Sequence, residues 1–137
     1  MIDLEDKKVI LTGGEGFFGS HIYNTLCDRG ANVIIVPHSK LNLLVLQDVI
    51  DFFVSVEPDY CIHCAGYNGG IQFNIAHPAH ILYTNTVMGL NVHEACRISE
   101  TKKVLSIMSS CAYPDTGMEV LNEKDFWNGS PNPTIKP

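Results

Sequence analysis

The stretch that most constrains the fold is ILTGGEGFFGSHI, residues 10–22, where a short apolar run leads through a glycine-rich turn into a helical pattern. Gly13 would allow a tight turn, Gly16 the close approach of backbone to a bound pyrophosphate, and Gly19 close packing of a helix on a strand. The free N–H groups at the start of the helix would then face the anion. This order of strand, turn and helix predicts a dinucleotide-binding loop, and the alternative is a glycine-rich turn without a ligand.

Apolar runs alternate with helical patterns over the rest of the chain. The runs KKVILTG, ANVIIVPH, YCIHCAG and KKVLSIMSS predict buried strands. The first helix carries apolar residues at Phe18, Ile22 and Leu26. A second helical pattern ends near Pro58, and a long one covers residues 78–99. Because strands separated by helices imply parallel pairing through right-handed crossovers, we predict an α/β fold with a doubly wound parallel sheet.

The composition is that of a single globular domain without a strongly charged face. The 137 residues are 45% hydrophobic, and a chain of this size buries roughly two thirds of its unfolded surface. The net charge is −6 and the basic residues are scattered, which predicts no nucleic-acid or anionic-lipid partner and favours a small molecule. The acidic start lacks the basic residues of an export signal, and no apolar run approaches about 18 residues. We therefore expect a cytoplasmic protein without a membrane span.

The five cysteines form an odd-numbered set in mostly apolar surroundings, which favours reduced, buried thiols over a disulfide framework. Cys61 and Cys64 have C-x-x-C spacing, but they lie in a predicted strand, where side chains three residues apart point to opposite faces. No second pair completes a zinc site. We therefore predict no metal site and no redox function for this pair.

The end of the second strand decides which dinucleotide is bound. An acid at this position binds the adenosine ribose of NAD, whereas a base accepts the 2′-phosphate of NADP. The run VPHSK contains no acid but does contain His38 and Lys40. We therefore favour NADP and leave NAD open. The alternative for both residues is a solvated loop.

Two parts of the sequence resemble a known family. The motif T-G-G-x-G-F-x-G at residues 12–19 resembles the cofactor loop of the extended short-chain dehydrogenase/reductase superfamily. More specifically, residues 65–97 and the stretch 104–114, with its Ser-Ser-Cys-x-Tyr-Pro run, are similar to the GDP-L-fucose synthases. The similarity extends from about residue 8 to the last residue. It implies a Rossmann-like NAD(P)-binding domain and a nucleotide-sugar 3,5-epimerase/4-reductase that acts on GDP-4-keto-6-deoxymannose.

The predicted cofactor contacts combine the glycine loop, the end of the second strand and the segment after the third strand. Asn85 has two open interpretations, either a helix residue that bonds a strand backbone or part of the cofactor shell. Gly69 and Gly70 are expected to shape a loop beneath the nicotinamide or the sugar. The predicted cofactor-binding residues are Gly13, Gly16, Phe17, Gly19, His38, Lys40, Ala65, Gly66 and Asn85.

Ser109 and Cys111 are the catalytic residues that the resemblance implies. The superfamily's serine hydrogen-bonds the reacting oxygen, and the family's cysteine works with a histidine as acid and base in the epimerisations. None of the six histidines in this chain occupies the place of that histidine. From the residues alone, the segment is either a ligand-binding strand end or a strand end with small polar residues and a buried thiol.

The final run PNPTIKP, residues 131–137, resembles the family's lead-in to its catalytic Tyr-x-x-x-Lys pair, which this sequence does not contain. The reductase step of the family needs that pair, because a tyrosine whose pKa is lowered by the lysine handles the proton on the sugar oxygen. We therefore expect residues 1–137 to be an incomplete NAD(P)-binding domain, truncated before its last strands, without the C-terminal substrate domain and inactive alone. The alternatives are a stand-alone nucleotide-binding module without catalysis and a related nucleotide-sugar enzyme with another sugar.

Self-association is the remaining expectation. Truncation would leave the strand KKVLSIMSS as an exposed parallel edge with apolar side chains, which favours association. The resemblance also implies that the helix over residues 78–99 packs at the family's dimer interface. We expect a homodimer or another self-associated form, with a GDP-sugar as the substrate.

Overall fold

The computed structural model describes residues 3–114 and 120–130 of the chain. Its strands and helices are β1 (Lys8–Thr12), α1 (Phe17–Asp28), β2 (Asn32–Val36), α2 (Leu46–Val56), β3 (Tyr60–His63), α3 (Ile71–Ala76), α4 (Pro78–Ile98) and β4 (Lys103–Ser106). The four strands form one parallel sheet in the order β2-β1-β3-β4. This arrangement confirms the predicted α/β fold with a doubly wound parallel sheet. The predicted lead-in at residues 131–137 lies outside the described residues.

The strand order reverses at β1, which lies between β2 and β3. Thr12, the last residue of β1, pairs with Val36 on one side and with His63 on the other. His63 in turn pairs with Ser106 of β4. The carboxyl ends of all four strands therefore lie along one edge of the sheet. In open α/β sheets, ligands bind in the crevice outside these ends at the point where the strand order reverses, which here is the end of β1 and β3.

The hydrophobic core lies between the sheet and two of the helices. The connection from β1 to β2 crosses the sheet in the opposite direction to the connections that carry α2 and α4. Right-handed crossovers therefore place α1 on one face and α2 and α4 on the other. Phe53 of α2 and Val92 of α4 are fully buried. The core cluster consists of Ile10, Val36, Leu41, Leu43, Val49, Phe53, Cys61, Val92, Ala95 and Cys96.

The chain divides into two compact units. The sheet unit consists of Met1–Tyr67 and Tyr83–Ile107 and contains all four strands. The turn unit consists of Asn68–Leu82 and Met108–Pro137, and it contains α3, the start of α4 and the 3-10 turns Ser110–Ala112 and Glu123–Asp125. Every residue of the core cluster belongs to the sheet unit.

The helix α4 has 21 residues and ends one residue before the predicted limit of 99. Its buried residues include Thr84, Asn91 and Val92, and the Asn91 side chain donates a hydrogen bond to the Leu43 carbonyl at 2.9 Å. Across residues 3–114 and 120–130, neither α4 nor any other helix is long and apolar enough to cross a bilayer.

The first turn of α1 differs from the predicted apolar pattern. Phe18 was expected on the apolar face, but it is 54% exposed, whereas Gly19 and Leu26 are buried. A Cβ atom at Gly19 would lie 2.1 Å from the Gly13 carbonyl oxygen, so only a glycine fits on the buried side of this turn. The neighbouring side chains of Phe17 and Phe18 therefore extend away from the loop.

The region after β3 contains two further differences from the sequence prediction. The fourth strand ends at Ser106 rather than at residue 110, and the last bond of its ladder runs from the Ile107 N–H to the His63 carbonyl at 3.0 Å. The ladder stops there because β3 itself ends at His63. The helix α3 was not predicted; it has only six residues, which is shorter than the window of about 11–18 residues over which helical periodicity is recognised.

All five cysteines are free thiols. Cys61 and Cys96 are buried in the core cluster. A hydrogen bond with the Cys96 thiol, together with burial, raises the pKa of Cys61, which keeps this thiol protonated and unreactive. Cys27 is exposed in the last turn of α1, so the expected burial is wrong for this residue.

Candidate cofactor site

The glycine loop between β1 and α1 contacts the backbone that follows β3. Gly13 has a φ of 69°, and a Cβ atom there would lie 2.6 Å from the Ala65 nitrogen. Both facts require glycine, because real Cβ atoms do not approach backbone this closely and L-residues rarely adopt this φ. Gly13 and Ala65 thus meet at the reversal of strand order, where the fold predicts a ligand crevice.

The N-terminus of α1 is open for an anion. Gly16 is its N-cap and supplies no side-chain hydrogen bond, and the first turn contains no acidic residue. The orphan N–H groups of a helix start carry partial positive charge and bind phosphate groups well. Phe17 is exposed and packs edge-on against His21, with ring centroids 5.1 Å apart. Gly13, Gly16, Phe17 and Gly19 therefore form one continuous loop and helix start, as the sequence predicts.

Thr12 and His63 form a buried pair beneath this loop. The Thr12 Oγ1 and His63 Nδ1 atoms lie 2.7 Å apart, and the Ala65 N–H donates to Thr12 Oγ1 at 3.3 Å. Burial, and secondarily the charge of nearby His93, lower the pKa of His63, so its imidazole is neutral at pH 7. Sequence reasoning did not select either residue, although a histidine inside an otherwise apolar strand was a usable signal.

Asn85 bonds the backbone of the segment after β3. Its Oδ1 accepts from the Tyr67 N–H at 2.7 Å, and its Nδ2 donates to the Tyr67 carbonyl at 2.9 Å. Asn85 thus bonds backbone from a helix, as in the first of its two interpretations, but Tyr67 lies beyond the end of β3 rather than in a strand. Gly66 lies beside it, since a Cβ there would be 3.8 Å from Asn85 Oδ1. Contact of Asn85, Ala65 or Gly66 with a cofactor stays a prediction.

His38 and Lys40 lie in a turn directly after β2. The turn is closed by the Lys40 N–H, which donates to the Pro37 carbonyl at 3.0 Å, and both side chains are exposed. Because Val36 pairs with Thr12, this turn and the glycine loop follow the same edge of the sheet. The two ion pairs found in the described ranges, Arg97–Glu94 and Lys102–Asp59, do not involve Lys40. Its ammonium group is therefore available to an anion.

Ser109 and Cys111 belong to the turn unit. Ser109 is the N-cap of a 3-10 turn, and its Oγ accepts from the Cys111 N–H at 3.2 Å. Ser109 also lines an open cavity of about 520 Å³, which is within the size range of ligand sites. Cys111 is half-buried and does not line this cavity. The cavity is lined by Met108, Ser109, Ser110, Tyr113, Glu123, Phe126 and Trp127.

Gly69 and Gly70 also lie in the turn unit, next to α3. The Gly69 N–H donates to Asn74 Oδ1 at 3.2 Å, and a Cβ at Gly69 would lie 2.5 Å from the Phe73 ring. Gly70 is the N-cap of α3, and a Cβ there would meet no atom within 4 Å. The two glycines thus form a loop as expected, and their placement beneath a nicotinamide or a sugar stays a prediction.

Comparison with known proteins gives relatives at moderate sequence identity. The chain is 32% identical over 131 residues to GDP-L-fucose synthase from Sinorhizobium fredii and 31% identical over 135 residues to GDP-L-fucose synthase from Escherichia coli K12. These matches cover 96% and 98% of the chain but only 42% of each relative. Among solved structures, GDP-mannoheptose C4 reductase from Campylobacter jejuni with NADP bound matches at a TM-score of 0.85 and 25% identity, over 94% of this chain and 41% of that one.

The family is established by a match over most of the chain. The sequence profile of the NAD dependent epimerase/dehydratase family matches residues 9–135. This range contains the whole glycine loop, the segment from Ala65 to Asn85, and Ser109 and Cys111. Because profile, relatives and fold agree over the same residues, the chain belongs to the NAD-dependent epimerase/dehydratase family.

Proposed function

We propose that this chain is the NADP-binding part of a nucleotide-sugar 3,5-epimerase/4-reductase similar to GDP-L-fucose synthase. The observation that carries the proposal is the contact of Gly13 with the Ala65 backbone beside the uncapped start of α1. Only glycine adopts this positive φ freely and fits this close to a neighbouring strand end. The same geometry is useful where backbone must approach a pyrophosphate.

Each part of the site has a role in holding the dinucleotide. The N–H groups at Phe17 and its neighbours bind the pyrophosphate, because they lie at the positive end of a 12-residue helix. His38 and Lys40 bind the 2′-phosphate of NADP, and the NADP found in the heptose reductase supports this choice over NAD. Ala65 and Gly66 line the crevice towards the nicotinamide. When bound, the cofactor supplies the hydride that the reduction needs.

Ser109 and Cys111 are proposed to serve the sugar. The Ser109 hydroxyl hydrogen-bonds the 4-keto oxygen, and the Cys111 thiol exchanges a proton at the carbon beside the keto group. The sequence contains no Tyr-x-x-x-Lys motif, so we infer that these 137 residues bind NADP without completing the reduction. The substrate proposed is GDP-4-keto-6-deoxymannose, in line with the two fucose synthases that the chain resembles.

A second candidate keeps the enzyme class and changes the sugar. The heptose reductase matches 94% of this chain and acts on GDP-mannoheptose, so the cofactor part of the family accommodates more than one sugar. A stand-alone nucleotide-binding module without catalysis is the other alternative. Both alternatives keep the cofactor site described above.

The proposal is tested by titrating the chain with NADPH and NADH and following nicotinamide fluorescence. We expect saturable binding of NADPH, weaker binding of NADH, and no oxidation of NADPH on adding GDP-4-keto-6-deoxymannose. Gly13→Ala should weaken NADPH binding at least about tenfold, because a Cβ 2.6 Å from the Ala65 nitrogen must displace the loop from the position in which it meets the pyrophosphate. Gly89→Ala is the matched control, since a Cβ there meets no atom within 4 Å. Absence of NADPH binding by the folded wild-type chain would refute the proposal.

Self-association and a cytoplasmic location complete the proposal. The strand β4 is an edge of the sheet in the described residues, and its Leu105 and the following Ile107 are exposed. Such an edge offers unpaired backbone groups and apolar surface to a second copy. Analytical ultracentrifugation is expected to detect dimers, and a monomer at high concentration would contradict this part of the proposal.

A further inference from the structure

The buried pair beneath the glycine loop, Thr12 and His63, joins the ends of β1 and β3 by a side-chain hydrogen bond. Thr12 is fully buried and His63 is 8% exposed, so neither side chain reaches a ligand in the crevice. The Thr12 hydroxyl has one proton to donate and lone pairs to accept with. Its oxygen accepts from the Ala65 N–H at 3.3 Å, and it lies 2.7 Å from His63 Nδ1. In a neutral ring whose proton is on Nε2, Nδ1 accepts from the hydroxyl, and this is the arrangement that the proposal below requires.

The surroundings of His63 favour this neutral form. Burial and the charge of His93 on α4 lower the pKa of His63. His93 itself is bonded to Ser106 on β4, with 2.9 Å between Nε2 and Oγ. A protonated His63 would occupy the hydroxyl oxygen of Thr12 as a second donor and would leave the hydroxyl proton without the acceptor it now has. Such a loss of a buried hydrogen bond destabilises the charged form.

The pair is connected to the cofactor crevice through backbone. Thr12 immediately precedes Gly13, and its own carbonyl accepts from the Cys64 N–H at 3.1 Å. Its hydroxyl holds the next N–H, that of Ala65, which is also the atom nearest to a Cβ built on Gly13. The same few atoms thus set how closely the ends of β1 and β3 approach each other.

We propose that His63 is a positioning residue for the dinucleotide: acting through the Thr12 hydroxyl, it holds the Ala65 backbone against Gly13 and so sets the floor of the crevice. The inference rests on the proposed function, because the effect of His63 is measured as a change in NADPH affinity. His63 does not touch the cofactor. Its effect requires a hydrogen-bond acceptor at the position of Nδ1 and a hydroxyl at residue 12, and a side chain of similar size without these groups does not replace it.

The test is NADPH titration of a set of paired variants in the full chain. Thr12→Val and His63→Leu are each expected to weaken binding about tenfold, the effect of losing one buried hydrogen bond. The double variant should bind about as weakly as either single variant, since the two residues act as a unit. Thr12→Ser keeps the hydroxyl, and His63→Asn offers an amide oxygen near the position of Nδ1; both should stay within about threefold of wild type. Thr84→Val is the matched control, because the buried Thr84 hydroxyl has no hydrogen-bond partner in the described part of the chain.

A second measurement decides the inference without any variant. In the wild-type chain, the ¹⁵N shifts of the His63 ring should identify an unprotonated Nδ1 and a protonated Nε2, and the Ala65 amide should exchange slowly with solvent. A ring protonated on Nδ1 would overturn the inference, as would equal NADPH affinity of His63→Leu and wild type. Equally weak NADPH binding by His63→Asn and His63→Leu would also overturn it. If the folded wild-type chain does not bind NADPH, the proposed function fails, and the ring shifts still decide whether His63 holds Thr12.

Discussion

The sheet unit and the turn unit are built in different ways. In the sheet unit, the four paired strands, α2 and most of α4 enclose a buried core, and the glycine loop connects β1 of this sheet to α1. In the turn unit, Ser109 and Cys111 share one 3-10 turn, and the side chains of Met108, Val120 and Trp127 are 69%, 72% and 87% exposed. The comparison teaches that the proposed cofactor residues are held by the chain's own core. The proposed sugar residues, Ser109 and Cys111, lie in a unit whose large apolar side chains are exposed and not packed in this core.

The largest expected effect tests the core itself. Phe53 is fully buried in the core cluster, so Phe53→Ala should lower the free energy of unfolding by about 3–5 kcal/mol. Trp127→Ala removes a larger side chain that is 87% exposed and should change it by no more than about 0.5 kcal/mol. Urea unfolding, monitored by circular dichroism, measures the change in unfolding free energy for both variants. Similar losses for the two variants would break the comparison, because the turn unit would then have a core of its own.

The next effect concerns the packing of α1 on the loop. A Cβ at Gly19 would lie 2.1 Å from the Gly13 carbonyl oxygen, so Gly19→Ala must displace backbone, and overpacking of this kind costs about 1–3 kcal/mol. We expect a lower urea midpoint and weaker NADPH binding together. Gly89→Ala is the control, because a Cβ there would meet no atom within 4 Å. Unchanged NADPH affinity in Gly19→Ala would show that the packing of α1 on the glycine loop does not affect the cofactor site.

A smaller effect is expected at the end of β2. Lys40 is exposed after this strand and forms no ion pair within residues 3–114 and 120–130. Lys40→Ala should weaken NADPH binding by about fivefold, the scale of one exposed charge pair, and leave NADH binding unchanged. Lys124→Ala in the turn unit should change neither affinity. Equal losses for both cofactors would show that Lys40 does not distinguish the 2′-phosphate.

The smallest effect is the pH dependence of stability that arises from Asp59, which directly precedes β3. A hydrogen bond from the Lys102 ammonium, and then one from the Lys8 N–H, lower the pKa of Asp59. Because the folded pKa lies below the unfolded value, this stabilisation is present above about pH 4 and is lost as the pH falls further. Asp59→Asn should therefore reduce the slope of stability against pH below that value. Identical slopes for the variant and wild type would mean that the exposed pair contributes nothing measurable.

The fold and the glycine loop were predictable because their signals are local. Gly13, Gly16 and Gly19 follow an apolar strand at fixed spacing, and the strands and longer helices have clear periodicity. The position of Phe18 was not predictable, since it depends on the approach of Gly19 to Gly13 in space. The Thr12–His63 bond depends on the register of β1 with β3, which no local pattern records. The cavity around Ser109 brings Tyr113 and Trp127 together through turns that have no periodicity.

The most direct test of the central claim is NADPH titration of the ¹⁵N-labelled chain, monitored by NMR spectra of its backbone amides. The claim is that the dinucleotide binds at the reversal of strand order, where the glycine loop meets the segment after β3. We predict that the largest shift changes fall on residues 12–20 and 64–67, with smaller ones in the turn after β2. Changes confined to the turn unit, or none at saturating NADPH in a folded chain, would contradict the claim.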